Sequence, residues 1–215
     1  MEQKLYPPNE TALLLIDTLN EFLSADGKLW ERGKEVIEAV NLLGNLKRLL
    51  AGTRQTEIKL VFAPHRLDER SFQGWQFMTE GQKLGFDNQV FWAGTKGADF
   101  HPIAAPTEKD LIASPHKGAN SFVNSDLDAI LRQNGIKRLA IAGMTANTCV
   151  EATGRYAVEL GYHVTFLKDA VAAFGWDGQR AATEVNYPVI AHSVLTVDEF
   201  LERINPQINR GVSRI

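Results

Sequence analysis

The sequence predicts an α/β fold built on one parallel sheet with helices on both faces, and three observations predict it. Six short apolar runs recur along the 215 residues, each closed by a polar or turn-forming residue. Between most of them the apolar residues recur at helical spacing, and strands alternating with helices imply right-handed crossovers over a parallel sheet. No internal repeat, linker or low-complexity block divides the chain, so residues 1–215 read as a single domain.

Residues 11–17 (TALLLID) form the first strand, an apolar run ending in a carboxylate. Ligands of open parallel sheets sit outside the carboxyl ends of the strands, so Asp17 stands where an acid or base is useful; a strand-end cap is the alternative. Residues 20–29 read as a loop, and 33–50 as one amphipathic helix with Val36, Ile37, Val40, Leu43, Leu46, Leu49 and Leu50 on its stripe. Residues 58–63 are the second strand, stopped by Pro64, with His65 and Arg66 just past its end.

Residues 67–105 show little period but many aromatics, among them Phe72, Trp75, Phe77, Phe86, Phe91, Trp92 and Phe100. Such a stretch is a lid or binding excursion, or else its rings anchor it to the core or to a second subunit. Residues 110–113 are a short third strand, and 124–135 a capped helix closed by glycine. The fourth strand is 139–142, the fifth 163–167 with Asp169 past its end, and the sixth 189–191. Residues 178–186 and 197–204 read as helices, and 205–215 as an aperiodic arm, extended or disordered.

A net charge of −3 and a pI near 6.0 give no basis for binding nucleic acid or an anionic membrane. One cysteine excludes an intrachain disulfide framework and a cysteine-rich zinc site. The N-terminus has no apolar signal region, and no apolar run reaches the roughly 18 residues of a membrane span. The expectation is a cytoplasmic, enzyme-sized domain with a small-molecule substrate. Neither Gly-x-Gly-x-x-Gly after a strand nor Gly-x-x-x-x-Gly-Lys-Ser/Thr occurs, which argues against a nucleotide-binding domain.

The stretch 139–154 (LAIAGMTANTCVEATG) organises the chemistry. A buried strand runs into a turn of Gly143 and small polar residues, and a helical stripe of Val150, Ala157, Val158 and Leu160 follows, ending at Gly161. Cys149 lies at the handover. Unpaired N–H groups and the helix dipole there favour an ionised thiol, and the turn amides suit an oxyanion; a buried small hydrophobe is the plainer alternative. Asp17, the pair His116–Lys117 and Cys149 thus close three strands with complementary groups. A thiolate attacks a carbonyl, a carboxylate accepts and returns its proton, and a cation holds the charges in register.

In chain order stand LLID17-TLN20-EF22, then H116-K117-GANSF122-VNSD126-L, then G143-M-T145-ANTC149-VEAT153, then G161-YHV with Lys168-Asp169-Ala170. Over roughly residues 10–200 this order resembles the isochorismatase-like (cysteine hydrolase) superfamily. The resemblance implies a Rossmann-like three-layer sandwich with a six-stranded parallel sheet. It implies an Asp–Lys–Cys catalytic triad, with Asp17 and Cys149 as members, that hydrolyses amide-type C–N bonds through a thioester. A cis peptide at Met144–Thr145, an oxyanion hole of the Thr145 and Cys149 amides, and a homo-oligomer, dimer or tetramer, come with it.

Two departures matter. In most members the triad lysine lies six residues before the motif's phenylalanine; six before Phe122 is His116, and Lys117 is five before it. Spacing favours His116 and residue type favours Lys117, and neighbours on an extended chain face opposite ways. Nicotinamidase-like members carry Asp-x-His after the second strand with another histidine nearby, where this chain has Ala63-Pro-His65-Arg66-Leu67-Asp68. One histidine beside an arginine is a poor divalent site, so no metal and no cofactor are expected.

The leading expectation is a metal-independent cysteine hydrolase acting on a small amide, carbamoyl or lactam-type substrate. The alternatives are vinyl-ether hydrolysis of the isochorismatase type, which needs no cysteine, and a non-catalytic binding protein on the same fold. Candidate substrate contacts are Asn20 and Phe22 after the first strand, His65 and Arg66 after the second, and Trp75, Trp92 and Phe174 as pocket walls, with Arg66 suited to a carboxylate.

Overall fold

Every residue of strand β1 (Thr11–Ile16) is buried, because its run is apolar toward both faces and only helices on both sides can hide it. The computed structural model describes residues 5–205. The other strands are β2 (Lys59–Ala63), β3 (Leu111–Ile112), β4 (Arg138–Met144), β5 (His163–Ala172) and β6 (Ser193–Leu195). They form one sheet of order β3-β2-β1-β4-β5-β6 with all neighbours parallel. The chain builds outward from β1 to one side, returns, and builds outward from β4 to the other. The reversal between β1 and β4 is the switch point at which open α/β sheets bind ligands.

The helices are α1 (Asn20–Leu23), α2 (Trp30–Ala39), α3 (Leu42–Thr53), α4 (Glu80–Asp87), α5 (Leu127–Gln133), α6 (Glu151–Glu159), α7 (Trp176–Arg180), α8 (Tyr187–Ile190) and α9 (Val197–Ile204). Leu13 and Leu15 pack with Val36, Ile37, Leu46, Leu49 and Phe200 in one apolar layer, whereas Leu14 and Ile16 pack with Leu127, Leu131, Val150, Ala157 and Tyr187 in the other. The alternation is the strand's period of two. Among the described residues no helix is long and apolar enough to cross a membrane.

Several boundaries depart from the sequence reading, for local reasons. Residues 20–29 contain α1 rather than a loop alone. The helix expected over 33–50 is two helices, broken where Asn41 adopts left-handed backbone (φ 51), and the apolar stripe runs through the break because both pieces cover the same layer. The excursion holds α4, closed by a capping box between Thr79 and Gln82. The helix expected from 124 begins only at Leu127, since Asn124 is left-handed with φ 58.

β4 runs through Gly143 instead of turning there. Gly143 pairs with Ile16 at φ 123, and an added Cβ would lie 1.9 Å from the Ile16 carbonyl oxygen. β5 continues to Ala172 past a register shift between Ile141 and Gly143 of β4, which leaves Asp169 inside the strand. The sixth strand is not 189–191. A helical stretch runs from α7 through a π-type segment (Ala181–Asn186) and α8, with Tyr187 stacked on Phe166 at 3.8 Å, and the strand follows at Ser193–Leu195. The arm expected over 205–215 lies, beyond Asn205, outside the described residues.

Candidate active site

Asp17 ends β1 in left-handed backbone (φ 51), a conformation that Asp tolerates better than most residues. Its N–H donates to the Ala63 carbonyl at 3.1 Å and its carbonyl accepts from the Leu19 N–H at 2.7 Å, so the ends of β1 and β2 hold it in place. The carboxylate is fully buried; Oδ1 lies 3.0 Å from His116 Nε2, and Oδ2 has no hydrogen-bond partner.

His116 extends the β2–β3 pairing beyond the strands. Its N–H donates to the Pro64 carbonyl at 3.1 Å and its carbonyl accepts from the Arg66 N–H at 3.0 Å. Its Nδ1 lies 2.7 Å from the Gly118 carbonyl oxygen. Burial by itself would lower the pKa of this ring, but the charge and hydrogen bond of Asp17, with the Gly118 and Ala63 carbonyls, outweigh it and raise the pKa. The two sequence candidates therefore separate. His116 is on Asp17, while Lys117 is only half-buried, forms no ion pair with Asp17, and instead helps the Ser71 hydroxyl and Arg70 amide lower the pKa of Asp68.

His65 lies beside this pair, its ring 5.0 Å from that of His116 and 4.6 Å from that of Phe91. Burial pushes its pKa down to about 4, with Asp17 opposing and His116 assisting, so the ring is neutral near pH 7. Its Nδ1 is buried without a partner.

Cys149 follows β4 through the cis Met144–Thr145 peptide and a π-type turn (Ala146–Val150). The Thr148 and Val150 N–H groups both donate to the Thr145 carbonyl at 3.2 Å, and the Tyr187 hydroxyl donates to the Ala146 carbonyl at 2.7 Å. The thiol is 8% exposed, with the Thr148 hydroxyl at 3.9 Å from Sγ and itself bonded to the Thr145 hydroxyl. Its pKa is raised well above the free-thiol range, first by burial and then by Asp17, against the weaker pull of Thr148 and the Thr145 amide. This corrects the expectation of an acidified thiol: burial, and then the Asp17 carboxylate beside it, disfavour a second negative charge at this place. Asp17 is near enough to act on the thiol through its charge and as a hydrogen-bond acceptor, and Oδ2 has no other partner.

The other candidates divide. Phe22 is buried between Phe91 at 4.9 Å and Phe174 at 5.9 Å, and the Arg32 guanidinium covers Phe174 at 4.4 Å. The side chain of Asn20 is committed to the protein, donating to the Lys96 carbonyl at 3.0 Å and accepting from Ser24 at 2.8 Å, so it ties the excursion to α1. Trp75 and Trp92 pack within the excursion, on Phe72 at 5.2 Å and Phe86 at 5.5 Å. The side chain of Arg66 is exposed. Asp169 is not at the site: its carboxylate accepts from the Val197 N–H at 2.8 Å and caps α9.

Sequence reasoning gave no role to Glu21 or Tyr187. Glu21 is 1% exposed, and its carboxylate accepts from the Lys28 N–H at 3.0 Å and the Phe91 N–H at 3.1 Å, clamping the excursion over the strand ends. Its place between Asn20 and Phe22 was the available signal. No group of three or more His, Cys, Asp or Glu side chains among the described residues is placed to hold a metal ion. The histidine nearest His65 is already bound to Asp17 and Gly118, so these residues do not fit a metal site.

The sequence matches the Isochorismatase domain over residues 11–197. It is 32% identical over 162 residues to the isochorismatase family protein YddQ of Bacillus subtilis (strain 168), covering 75% of this chain and 77% of that one. It is 28% identical over 206 residues to the ureidoacrylate amidohydrolase RutB of Serratia proteamaculans (strain 568), covering 91% and 83%. The crystal structure of a cysteine hydrolase from Pseudomonas syringae pv. phaseolicola 1448A superposes with a TM-score of 0.79 at 23% identity, over 95% of this chain and 98% of that one.

Proposed function

The chain belongs to the isochorismatase family, and from that premise we propose that it is a metal-independent cysteine hydrolase of a small amide, carbamoyl or lactam-type C–N bond. The observation that carries the reading is the buried carboxylate of Asp17, which has one oxygen on His116 and the other unpartnered, and which lies close enough to Cys149 to raise the pKa of its thiol. A thiol in that state is a proton donor waiting for an acceptor.

In this mechanism Asp17 Oδ2 takes the proton from Cys149 as Sγ bonds to the substrate carbonyl carbon. The amides of Thr145 and Cys149 hold the oxygen as it becomes anionic. Asp17 then gives the proton to the departing nitrogen, the C–N bond breaks, and amine or ammonia leaves a thioester. Water attacks the thioester carbon; Asp17 takes one of its protons and returns it to sulfur as the C–S bond breaks. His116 keeps Asp17 oriented throughout, and the nearby neutral His65 offers a single hydrogen bond rather than a charge. The RutB relatives are named ureidoacrylate amidohydrolases, and this favours ureido and carbamoyl compounds as first substrates.

Ammonia release from a panel of ureido, carbamoyl and simple amides tests the reading, with intact-mass detection of an acyl group on Cys149. Turnover is expected in the native protein and lost in Cys149→Ala. Full turnover in Cys149→Ala would remove the thioester route and turn attention to vinyl-ether hydrolysis.

A further inference from the structure

The ring of His116 meets an acceptor at each nitrogen. Nδ1 lies 2.7 Å from the Gly118 carbonyl oxygen, which has no proton to give, so Nδ1 carries one. Nε2 lies 3.0 Å from a carboxylate oxygen of Asp17. The proton between these two goes to the stronger base, and an imidazole exceeds a carboxylate by roughly two to three pH units in ordinary surroundings. Both side chains are fully buried, so water does not offer either one an alternative partner.

We infer that His116 is an imidazolium in the resting protein, protonated on both ring nitrogens, and that it supplies through Asp17 the positive charge that a triad lysine supplies elsewhere in the family. The charge claim stands on geometry; its use in catalysis rests on the proposed hydrolase reading. The groups around the ring leave no rival for that charge. Asp17 faces it from the end of β1, neutral His65 from the end of β2, and the un-ionised Cys149, which follows the end of β4, is within reach of Asp17. Lys117, next in sequence, acts on Asp68. The site is therefore a close ion pair whose remaining carboxylate oxygen is kept for the thiol. His116 is a positioning residue, and an imidazolium gives up its proton at lower pH than an ammonium does. Alkali that removes its proton leaves Asp17 an uncompensated buried anion beside Cys149, and thiol ionisation becomes harder.

The test is the ring-nitrogen NMR spectrum of the full-length, ¹⁵N-histidine-labelled protein at about pH 7.5, where an ordinary histidine of pKa near 6.5 is mostly neutral. The chain has five histidines, and His116 is assigned by its loss in His116→Gln or, should that variant not fold, by substituting the other four in turn. The expected result is two protonated-type nitrogens for His116 and one unprotonated nitrogen for His65. An unprotonated Nε2 on His116 would overturn the inference. The spectrum needs no substrate, so its outcome is independent of whether the hydrolase reading stands. If turnover is found, its alkaline limb is expected to move to higher pH in His116→Lys, and a folded His116→Lys with an unmoved limb would remove the catalytic use of the charge.

Discussion

Asp17 and Asp169 both follow apolar runs of parallel strands, yet one stands at the switch point and the other caps a helix. β1 stops at Ile16, Asp17 turns into left-handed backbone, and its carboxylate meets His116. β5 does not stop: past the register shift it pairs with β4 as far as Ala172, so Asp169 stays in the strand. Its carboxylate takes the Val197 N–H, its carbonyl takes the Asn45 amide at 2.7 Å, and burial raises its pKa against the pull of that N–H. The difference lies in where the strand ends: Asp17 is fully buried with His116 on one oxygen and no partner on the other, whereas the half-buried Asp169 spends its carboxylate on a helix N–H.

The comparison breaks most visibly in turnover. Asp17→Asn is expected to lower kcat by about 10³-fold, the scale of a lost general base, and Asp169→Asn to change it by about twofold or less; equal losses would end the distinction. Gly143→Ala comes next. Its Cβ meets the Ile16 carbonyl at 1.9 Å, and denaturant unfolding is expected to show a loss of about 3 kcal/mol or more, because β4 can no longer lie against the end of β1.

Acid gives the third effect. His65 has a folded pKa of about 4 against an ordinary 6.5, so the unfolded chain takes up a proton that the folded chain refuses. Stability present above pH 6.5 is therefore lost as the pH falls toward 4, by on the order of 3 kcal/mol. Denaturation midpoints across that range are expected to flatten in His65→Gln. The smallest effect is Asp169→Ala, which removes an acceptor from the first turn of α9. It costs about 1 kcal/mol and lowers Tm by about 2–4 °C with turnover intact.

The sequence carried the framework because the framework is local. β1 and β2 were legible from apolar runs, the last helix from its residues 197–204, and Asp17 and Cys149 from their places at strand ends. What escaped depends on partners distant in sequence or on single dihedrals. Tyr187 reaches Ala146, and Glu21 reaches Phe91, across contacts that no period encodes. The left-handed Asn41 splits a helix whose apolar stripe continues unbroken. The capping box of α4 was written in Thr79 and Gln82, but no residue of that helix is buried, so no apolar stripe announced it. The thiol shift was read with the wrong sign, since a dipole argument is local whereas burial beside Asp17 exists only in the folded chain.

The most direct measurement is the pH profile of Cys149 alkylation by iodoacetamide, read by intact mass, in the native protein, Asp17→Asn and Asp169→Asn. The native thiol is expected to label only above the free-thiol pKa of roughly 8.5. Removing the Asp17 charge is expected to shift the profile to lower pH, and Asp169→Asn to superimpose on the native curve. An Asp17→Asn profile identical to the native one would show that Asp17 does not act on Cys149, and would contradict the account at its centre.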